Sequence, residues 1–336
     1  QSNPMPYNSL RDFMQRLETE GRLVRVSAPV STHLEMTEIQ TRLLAEGGPA
    51  VLFENVIGAN GEKSDMPVLV NLFGTVERVA WGMEREPHEL REVGETLAFL
   101  RQPEPPGGWR DALNMLPMVK TVMAMKPKTV SSAPCQEVVL TGDDIDLARL
   151  PIQTCWPGEP APLITWPLVV TQGPDPDGDR ADAYNLGVYR MQVTGRDTTL
   201  MRWLKHRGGA QQHARWKANR EDSFPAAVVI GADPGAILAA GTPVPDTVSE
   251  YQFAGLLRGA KVELVDCKTV PLKVPAHAEI VLEGHVSLTD YGREGPYGDH
   301  TGYYNAVESF PVFTISAITM RRDPIYLSTF TGRPPD

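Results

Sequence analysis

The chain has 336 residues, of which 41% are apolar, and it carries a formal net charge of −10. This acidic balance argues against a general nucleic-acid or anionic-membrane surface, and no apolar run is long enough to cross a bilayer, so we expect a soluble globular protein. Its cysteines, Cys135, Cys155 and Cys267, are widely spaced, which argues against a disulfide framework or a zinc knuckle and for a reducing compartment.

The first part of the chain alternates between helix and strand patterns. QSNP before Met5 looks like the remnant of a cleavable tag. Residues 9–21 predict an amphipathic helix that opens with a Ser9/Asp12 capping pattern and stops at Gly21. Further helices are predicted at residues 33–48, 88–101 and 111–124, and strands at LVRV, AVLFENV and MPVLVNLFG. QPEPPGGW, residues 102–109, is the clearest break.

From about residue 130 strand patterns dominate. The predicted strands are QEVVLTG, ITWPLVVTQ, YNLGVYRMQVTG, TTLMRWL, AAVVIG, KVELVDC, AEIVLEGHVSL, FPVFTISAITM and IYLSTF, with helical interruptions near residues 210–220, 234–240 and 247–258. Many short strands with few helices favour a barrel or sandwich over a doubly wound sheet. The chain stops just after a predicted strand, and we expect that a longer protein continues beyond Asp336.

Two acids, Glu294 and Asp299, stand five residues apart in GREGPYGDHTGYY. Five residues along a helix turn about 140° from the starting face, and five along a strand reach the opposite face. Only a bent loop can aim both carboxylates at one point, and the glycines and proline between them supply such a bend. These residues by themselves leave two interpretations open, a solvated turn or an acid–base pair.

Other polar residues stand in contexts that need explaining. Asn185 and Arg190 lie in an apolar strand pattern at an odd spacing, which places them on opposite faces, and each needs a partner if it is buried. Gly187 between them permits a bulge or close contact with a ligand. Glu250 falls in the first turn of a predicted helix, where an acid is commonplace. Two ordinary interpretations remain open: Asn185 and Arg190 could lie on an edge strand in water, and Glu250 could be a usual acid at a helix start.

Residues 201–220 form a basic stretch within an acidic chain. It is either a solvated helix face or an anion site, because the Gly208-Gly209 pair permits close backbone approach ahead of a predicted helix. The sequence contains no P-loop, no G-x-G-x-x-G after a strand, no G-x-S-x-G and no H-E-x-x-H. The common nucleotide and hydrolase chemistries therefore have no support.

Seven segments occur in the order found in the UbiD family of decarboxylases: YNLGVYR, RWLKHRGG, GADPGAIL, TPVPDTVSEYQFAGLLRG, VPAHAEIVLEG, EGPYGDHTGYY and TGRPPD. They look most like the bacterial branch that decarboxylates 3-polyprenyl-4-hydroxybenzoate, and the resemblance runs from Pro6 to Asp336. It implies an α+β fold with an N-terminal α/β domain over residues 5–125. A flavin-reductase-like split β-barrel that binds prenylated FMN would follow over residues 126–330, and residues 331–336 would begin a C-terminal domain absent from this chain.

The resemblance also implies catalytic and cofactor-binding residues. Arg190 resembles the family's catalytic arginine, and Glu294 and Asp299 resemble its carboxylate pair. Arg190 would keep Glu294 ionised while Asp299 exchanges the proton, and the reverse assignment of the two acids stays open. The positions that match the family's cofactor contacts are Asn185, Val188, Tyr189, Arg190, Arg202, Trp203, Leu204, Arg207 and Gly208.

A metal site is implied in the same way. Asn185 and Glu250 match the family's metal ligands and offer hard oxygen donors suited to Mn²⁺ or Mg²⁺ beside the flavin phosphate. Some relatives add a histidine, and of His206 and His213 the local sequence QQHARW favours His213. A potassium site is implied by resemblance only, formed with Glu250 by carbonyls near Ala239, Ala240 and Thr242.

The implied activity is that of a carboxy-lyase in ubiquinone biosynthesis, which would use prenylated FMN to convert 4-hydroxy-3-polyprenylbenzoate to 2-polyprenylphenol without oxidation. A flavin prenyltransferase would supply the cofactor, and the lipid substrate implies a cytoplasmic protein in peripheral contact with the inner face of the cell membrane. The full-length protein is expected to form a dimer or hexamer and to have no nucleic-acid partner. Two alternatives remain open: a UbiD-type decarboxylase of a small aromatic or acrylic acid, and a non-catalytic flavin-binding split-barrel fragment.

Overall fold

A computed structural model describes residues 6–101, 108–173, 184–202, 223–245, 248–297 and 308–332. The helices in these ranges are α1 Leu10–Thr19, α2 Glu35–Glu46, α3 Val76–Gly82, α4 Leu90–Arg101, α5 Trp109–Ala124, α6 Pro234–Ala240 and α7 Glu250–Arg258. The strands are β1 Leu23–Val26, β2 Val30–Ser31, β3 Ala50–Phe53, β4 Val56–Ile57, β5 Lys63–Ser64, β6 Val68–Val70, β7 Lys128–Val130, β8 Val138–Leu140, β9 Leu163–Ile164, β10 Leu168–Gln172, β11 Tyr184–Val188, β12 Arg190–Val193, β13 Thr198–Arg202, β14 Ser223–Ile230, β15 Glu263–Asp266, β16 Lys273–Pro275, β17 Ile280–Glu294, β18 Glu308–Met320 and β19 Tyr326–Leu327. Within the described ranges, none of the helices has both the length and the apolar character needed to cross a membrane.

Helix α1 begins as its capping pattern predicts. The Ser9 hydroxyl accepts a hydrogen bond from the backbone N–H of Asp12, and the Asp12 carboxylate accepts one from the backbone N–H of Asn8. Leu10, Phe13 and Leu17 are buried, so the apolar stripe of the helix faces the core. The predicted helix is therefore confirmed, and its start is fixed by side-chain capping.

We expect Ser9→Ala to lower the free energy of unfolding by about 1 kcal/mol, because one N–H at the start of α1 loses its acceptor in a buried position. Urea denaturation would measure this loss. Ser9→Asp is the matched control, since it restores an acceptor at the same place and should keep most of the stability. An equal loss in both variants would contradict the capping role.

The first sheet has the strand order β1-β3-β6-β19. β1 and β3 are parallel, β3 and β6 are antiparallel, and β19 runs parallel to β6 with Tyr326 opposite Val68. Two smaller sheets have the orders β2-β4-β5 and β16-β15-β7. The last described strand thus completes a sheet that the start of the chain begins.

The main sheet has nine strands in the order β11-β10-β14-β17-β18-β13-β12-β9, and β8 also pairs with β18. The end strands β11 and β9 do not pair with each other in the described part of the chain, so the sheet is a curled half-barrel. Together with the helices it makes a mixed α+β fold. The expectation of a strand-rich second half is confirmed.

Strand β14 is buried on both of its faces. Ala227 and Val229 belong to the core that the helices share, whereas Phe224, Ala226 and Val228 belong to a second core on the other side of the sheet. Successive side chains of a strand point to opposite faces, so one strand contributes to both cores. This explains its run of small and apolar residues without polar alternation.

Strands β17 and β18 form the long antiparallel pair that carries the site. Their register shifts between Glu283, which pairs with Ala317, and Gly284, which pairs with Ile315, so Ser316 is the extra residue. A Cβ on Gly284 would lie 2.1 Å from the carbonyl oxygen of Thr314, so the bulge requires glycine at this position. The pair ends with Glu294 opposite Glu308.

Candidate active site

Two arginines and one glutamate meet where three strands end. Arg190 begins β12 and Arg202 ends β13, directly opposite it, and Glu294 ends β17. Glu294 Oε1 accepts hydrogen bonds from Arg190 Nη2 and Arg202 Nη1, both at 2.8 Å. The side chains are 1% exposed for Glu294, 12% for Arg190 and 15% for Arg202. Such charge-assisted bonds in a largely buried site are strong and hold the side chains in a fixed geometry.

The shared carboxylate explains why two like charges stand opposite each other. Like charges at directly opposed positions of an antiparallel pair destabilise it. Glu294 bonds to both guanidiniums and so reduces their repulsion. The trio thus places two guanidiniums around one carboxylate, and guanidiniums bind anionic groups through paired N–H donors.

The turn after Glu294 is held from a neighbouring strand. Gly295 has a φ of +94°, in the left-handed region that favours glycine, and a cis peptide bond joins it to Pro296. The backbone N–H of Gly295 donates to Gln192 Oε1 at 3.0 Å. The chain therefore leaves the strand through a bend, as the Gly/Pro composition predicts, and Gln192 ties this bend to the strand of Arg190.

The aromatic ring of Tyr297 packs against the guanidinium of Arg190. Its ring is fully buried, its centroid lies 5.5 Å from Arg190 Cζ, and its hydroxyl donates to the Ala161 carbonyl at 2.9 Å. Burial raises the pKa of the Tyr297 phenol well above its usual value, and the negative charges of Glu159 and Glu294 add to this. The phenol stays neutral and supports the guanidinium through its ring face.

Glu250 lies against strand β11, at the residue next to Asn185. Glu250 begins α7 behind a Ser249 capping box, and its Oε2 accepts from the backbone N–H of Leu186 at 3.1 Å. Asn185 is the preceding residue in β11, and its side-chain amide contacts the Tyr189 hydroxyl at 3.5 Å. The described ranges contain no group of three or more His, Cys, Asp and Glu suited to a metal. A carboxylate and an amide oxygen are nevertheless the donors that a hard divalent cation prefers.

Gly187 does not form a bulge, which corrects one of the two sequence interpretations. Its strand pairs with β10 in unbroken register from Val188 to Tyr184. A Cβ at Gly187 would lie 2.7 Å from the Tyr189 hydroxyl, so the glycine admits the side chain of Tyr189. The strand breaks at Tyr189, so Asn185 and Arg190 belong to different strands and the odd-spacing argument does not govern their faces.

Several predicted site residues lie outside the described residues: Asp299, Trp203, Leu204, Arg207, Gly208 and His213. Of the residues implied for potassium, Ala239 and Ala240 end α6, and the Ala239 carbonyl accepts from the N–H of Thr242 at 3.1 Å. Of the predicted site residues, the structure therefore brings Arg190 into contact with Glu294, and it places Glu250 against the residue that follows Asn185.

The sequence interpretation missed the side-chain role of Arg202 and the roles of Gln192 and Tyr297. The signal for Arg202 was available, because residues at equal distances from a hairpin turn face each other. Val193 pairs with Thr199, and the same register places Arg190 opposite Arg202. Tyr297 stood in the quoted EGPYGD segment without a role, since its partner Ala161 is distant in sequence.

Two comparisons link the chain to known proteins by sequence. Residues 128–334 match the family described as the 3-octaprenyl-4-hydroxybenzoate carboxy-lyase Rift-related domain. Residues 14–97 match the corresponding N-terminal domain.

Solved structures agree with these matches. An evolved dimeric form of the UbiD-class enzyme HmfF from Pelotomaculum thermopropionicum, in complex with prFMN, is 29% identical with a TM-score of 0.81, covering 97% of this chain and 68% of that one. Vanillic acid decarboxylase from Sedimentibacter hydroxybenzoicus is 28% identical with a TM-score of 0.82, covering 98% and 65%. Apo 3,4-dihydroxybenzoic acid decarboxylase from Klebsiella pneumoniae is 25% identical with a TM-score of 0.76, covering 96% and 64%. The chain thus spans about two thirds of the length of the solved structures that it matches.

Proposed function

The chain belongs to the UbiD family, and from that premise we propose that its full-length protein is a carboxy-lyase that uses prenylated FMN. The proposed reaction converts 4-hydroxy-3-polyprenylbenzoate to 2-polyprenylphenol in ubiquinone biosynthesis, without net oxidation. The observation that carries the proposal is the buried Glu294 shared by Arg190 and Arg202. Two guanidiniums held in place in this way suit a substrate whose reacting group is a carboxylate.

The chemistry requires a proton after carbon dioxide leaves. The bond between the ring carbon and the carboxyl carbon breaks, and its electron pair remains on the ring carbon until a proton arrives. When bound, the prenylated flavin would supply an electron sink for that pair. The two arginines hold Glu294 in one position. Asp299, five residues further along the chain, is the proposed proton donor. In the alternative assignment, Glu294 donates the proton and Asp299 takes the other role.

Asn185 and Glu250 are proposed to hold a divalent cation, Mn²⁺ or Mg²⁺, with His213 as a third ligand. Their placement supports this, because Glu250 bonds to the residue next to Asn185 and both present oxygen donors. The cation would offset the flavin phosphate, and a potassium ion near the end of α6 is part of the same proposal. The proposed cofactor contacts are Asn185, Val188, Tyr189, Arg190, Arg202, Trp203, Leu204, Arg207 and Gly208.

The proposed domain organisation assigns residues 5–125 to an N-terminal α/β domain and residues 126–330 to a flavin-reductase-like split β-barrel. The curled nine-stranded sheet supports the second assignment. The full-length protein would also have a C-terminal domain that begins at residues 331–336. We propose that this protein assembles into a dimer or a hexamer. Cytoplasmic residence, contact with the inner membrane face and a flavin prenyltransferase partner follow from the proposed substrate and cofactor.

A second candidate function is decarboxylation of a small aromatic acid. The chain is 28% identical to vanillic acid decarboxylase and 25% identical to 3,4-dihydroxybenzoic acid decarboxylase, whose substrates lack a polyprenyl tail. The third candidate function is non-catalytic: the protein would bind flavin without releasing carbon dioxide from any acid.

One experiment separates these functions. The full-length protein would be coexpressed with a flavin prenyltransferase, and the bound flavin identified by mass and absorbance. Carbon dioxide release would then be compared for 4-hydroxy-3-polyprenylbenzoate, vanillate and 3,4-dihydroxybenzoate. Release from the polyprenylated acid alone supports the first function, and release from the small acids alone supports the second. Bound flavin with no release from any acid would reject both.

A further inference from the structure

One threonine hydroxyl of the main sheet is buried beside the residues proposed to hold the divalent cation. Thr171 lies in β10 and is fully buried. Its Oγ1 has no hydrogen-bond partner in the described part of the chain. Burying a hydroxyl without such a partner is unfavourable, so we expect an ordered water or a ligand atom next to it.

Thr171 stands directly opposite Asn185 in the antiparallel pair of β10 and β11. Side chains at such positions share one face of the sheet, with Cβ atoms about 4.5–5.5 Å apart. Both point to the face of the second core, because Val169, two residues before Thr171, belongs to this core. The hydroxyl of Thr171 and the amide of Asn185 therefore lie side by side.

The contacts of Asn185 leave its amide oxygen available to a cation. Its Nδ2 points to the Tyr189 hydroxyl at 3.5 Å, which has room there because Gly187 has no side chain. On the free edge of the same strand, Glu250 Oε2 accepts from the backbone N–H of Leu186 at 3.1 Å. A hydroxyl, an amide oxygen and a carboxylate thus collect at one end of the β10–β11 pair.

Two other buried threonines of the sheet show what distinguishes Thr171. The hydroxyls of Thr199 and Thr319 also lack a partner within the described ranges. Their strand neighbours are apolar: Val193 and Phe313 for Thr199, and Val139 and Val281 for Thr319. A buried water needs several polar partners, which these neighbours do not offer. Thr171 is paired with a polar side chain and lies close to a carboxylate.

We propose that Thr171 is a positioning residue of the cation site, whose hydroxyl accepts a hydrogen bond from a water molecule bound to the cation. This inference rests on the proposed function, because it assumes that Mn²⁺ or Mg²⁺ binds beside Asn185 and Glu250. Such hard cations keep part of their water shell when they bind to proteins. Groups that hold the ligands of a metal in this way contribute about 10–100-fold to its affinity.

The test uses the full-length protein loaded with FMN and Mn²⁺ as the probe, with dissociation constants from the electron paramagnetic resonance signal of free Mn²⁺. We expect Thr171→Val to weaken Mn²⁺ binding roughly tenfold, because valine keeps the shape of threonine but has no hydroxyl. Thr171→Ser keeps the hydroxyl and should bind Mn²⁺ nearly as tightly as the wild type. A role in packing alone would give the reverse order, since serine lacks the methyl group that valine retains.

Thr319→Val is the matched control, since it removes a buried hydroxyl from the other face of the sheet, where Val281 belongs to the core that the helices share. At matched FMN content, its Mn²⁺ affinity should equal that of the wild type.

Wild-type Mn²⁺ affinity in Thr171→Val, with a large loss in Asn185→Ala, would overturn the inference and leave the proposed cation site standing. Equal losses in Thr171→Val and Thr171→Ser would also overturn it, because the hydroxyl would then not be the cause. Failure of the wild type to bind Mn²⁺ would reject the cation site and the inference together. Carbon dioxide release, measured separately, decides whether the proposed decarboxylation stands.

Discussion

Glu294→Gln should lower the decarboxylation rate of the full-length enzyme by about 10²–10³-fold, the effect of losing one preorganised electrostatic group. The carboxylate is 1% exposed and holds two guanidiniums at 2.8 Å, so a neutral amide removes the negative charge that these two facing cations share. The repulsion would displace Arg190 and the bend that follows Glu294. The measurement is kcat/KM for carbon dioxide release at matched flavin content.

Glu308→Gln is the control for this loss. Glu308 stands directly opposite Glu294 in the β17–β18 pair but is exposed, so its replacement changes the net charge equally without touching the arginines. We expect wild-type activity from it. If Glu294→Gln also kept wild-type kcat/KM with normal flavin content, the role assigned to the shared carboxylate would be wrong.

Gly284→Ala should destabilise the fold by on the order of 3 kcal/mol, the upper range for forcing extra volume into a packed region. The added Cβ would lie 2.1 Å from the Thr314 carbonyl oxygen, which is backbone of the neighbouring strand and cannot rotate away. The two strands must separate, or the bulge must move, in a part of the sheet buried on both sides. Chemical denaturation of the full-length protein would measure the change.

Gly94→Ala provides a control of opposite sign. Gly94 is exposed in the middle of α4, and a Cβ there meets no atom within 4 Å. Alanine is the better helix former by about 0.8–1.0 kcal/mol, so this variant should be more stable than the wild type. Equal stability changes for the two alanine variants would show that the contact with Thr314 does not constrain the bulge.

Local patterns in the sequence predicted those elements whose signals are local. The helix of residues 9–21, the strand LVRV and the helix ending at Gly47 all formed, because capping groups and amphipathic spacing act within a few residues. Helix α3, Val76–Gly82, was missed, since it is only seven residues long and includes two valines and a glycine. Its Thr75 cap accepts from Arg78, a signal too short to stand out.

The site could be predicted only in part from the sequence, because its contacts join residues that are far apart in the chain. Arg190 and Glu294 were paired through a resemblance, and the structure brings them into contact, although their catalytic roles stay a prediction. Arg202 entered only as a cofactor contact, because its bond to Glu294 depends on the pairing of β13 with β18 and of β18 with β17. Tyr297 had no assigned role, because its partner Ala161 lies in a distant loop of the chain.

The pairing of β19 with β6 has a consequence for synthesis on the ribosome. The fourth strand of the first sheet is Tyr326–Leu327, so β6 has an open edge until nearly all of the described chain has emerged. Pairing between segments so far apart closes a very long loop and is intrinsically slow. We therefore expect the N-terminal part of this protein to remain incompletely folded, and able to bind chaperones, until the half-barrel has been translated.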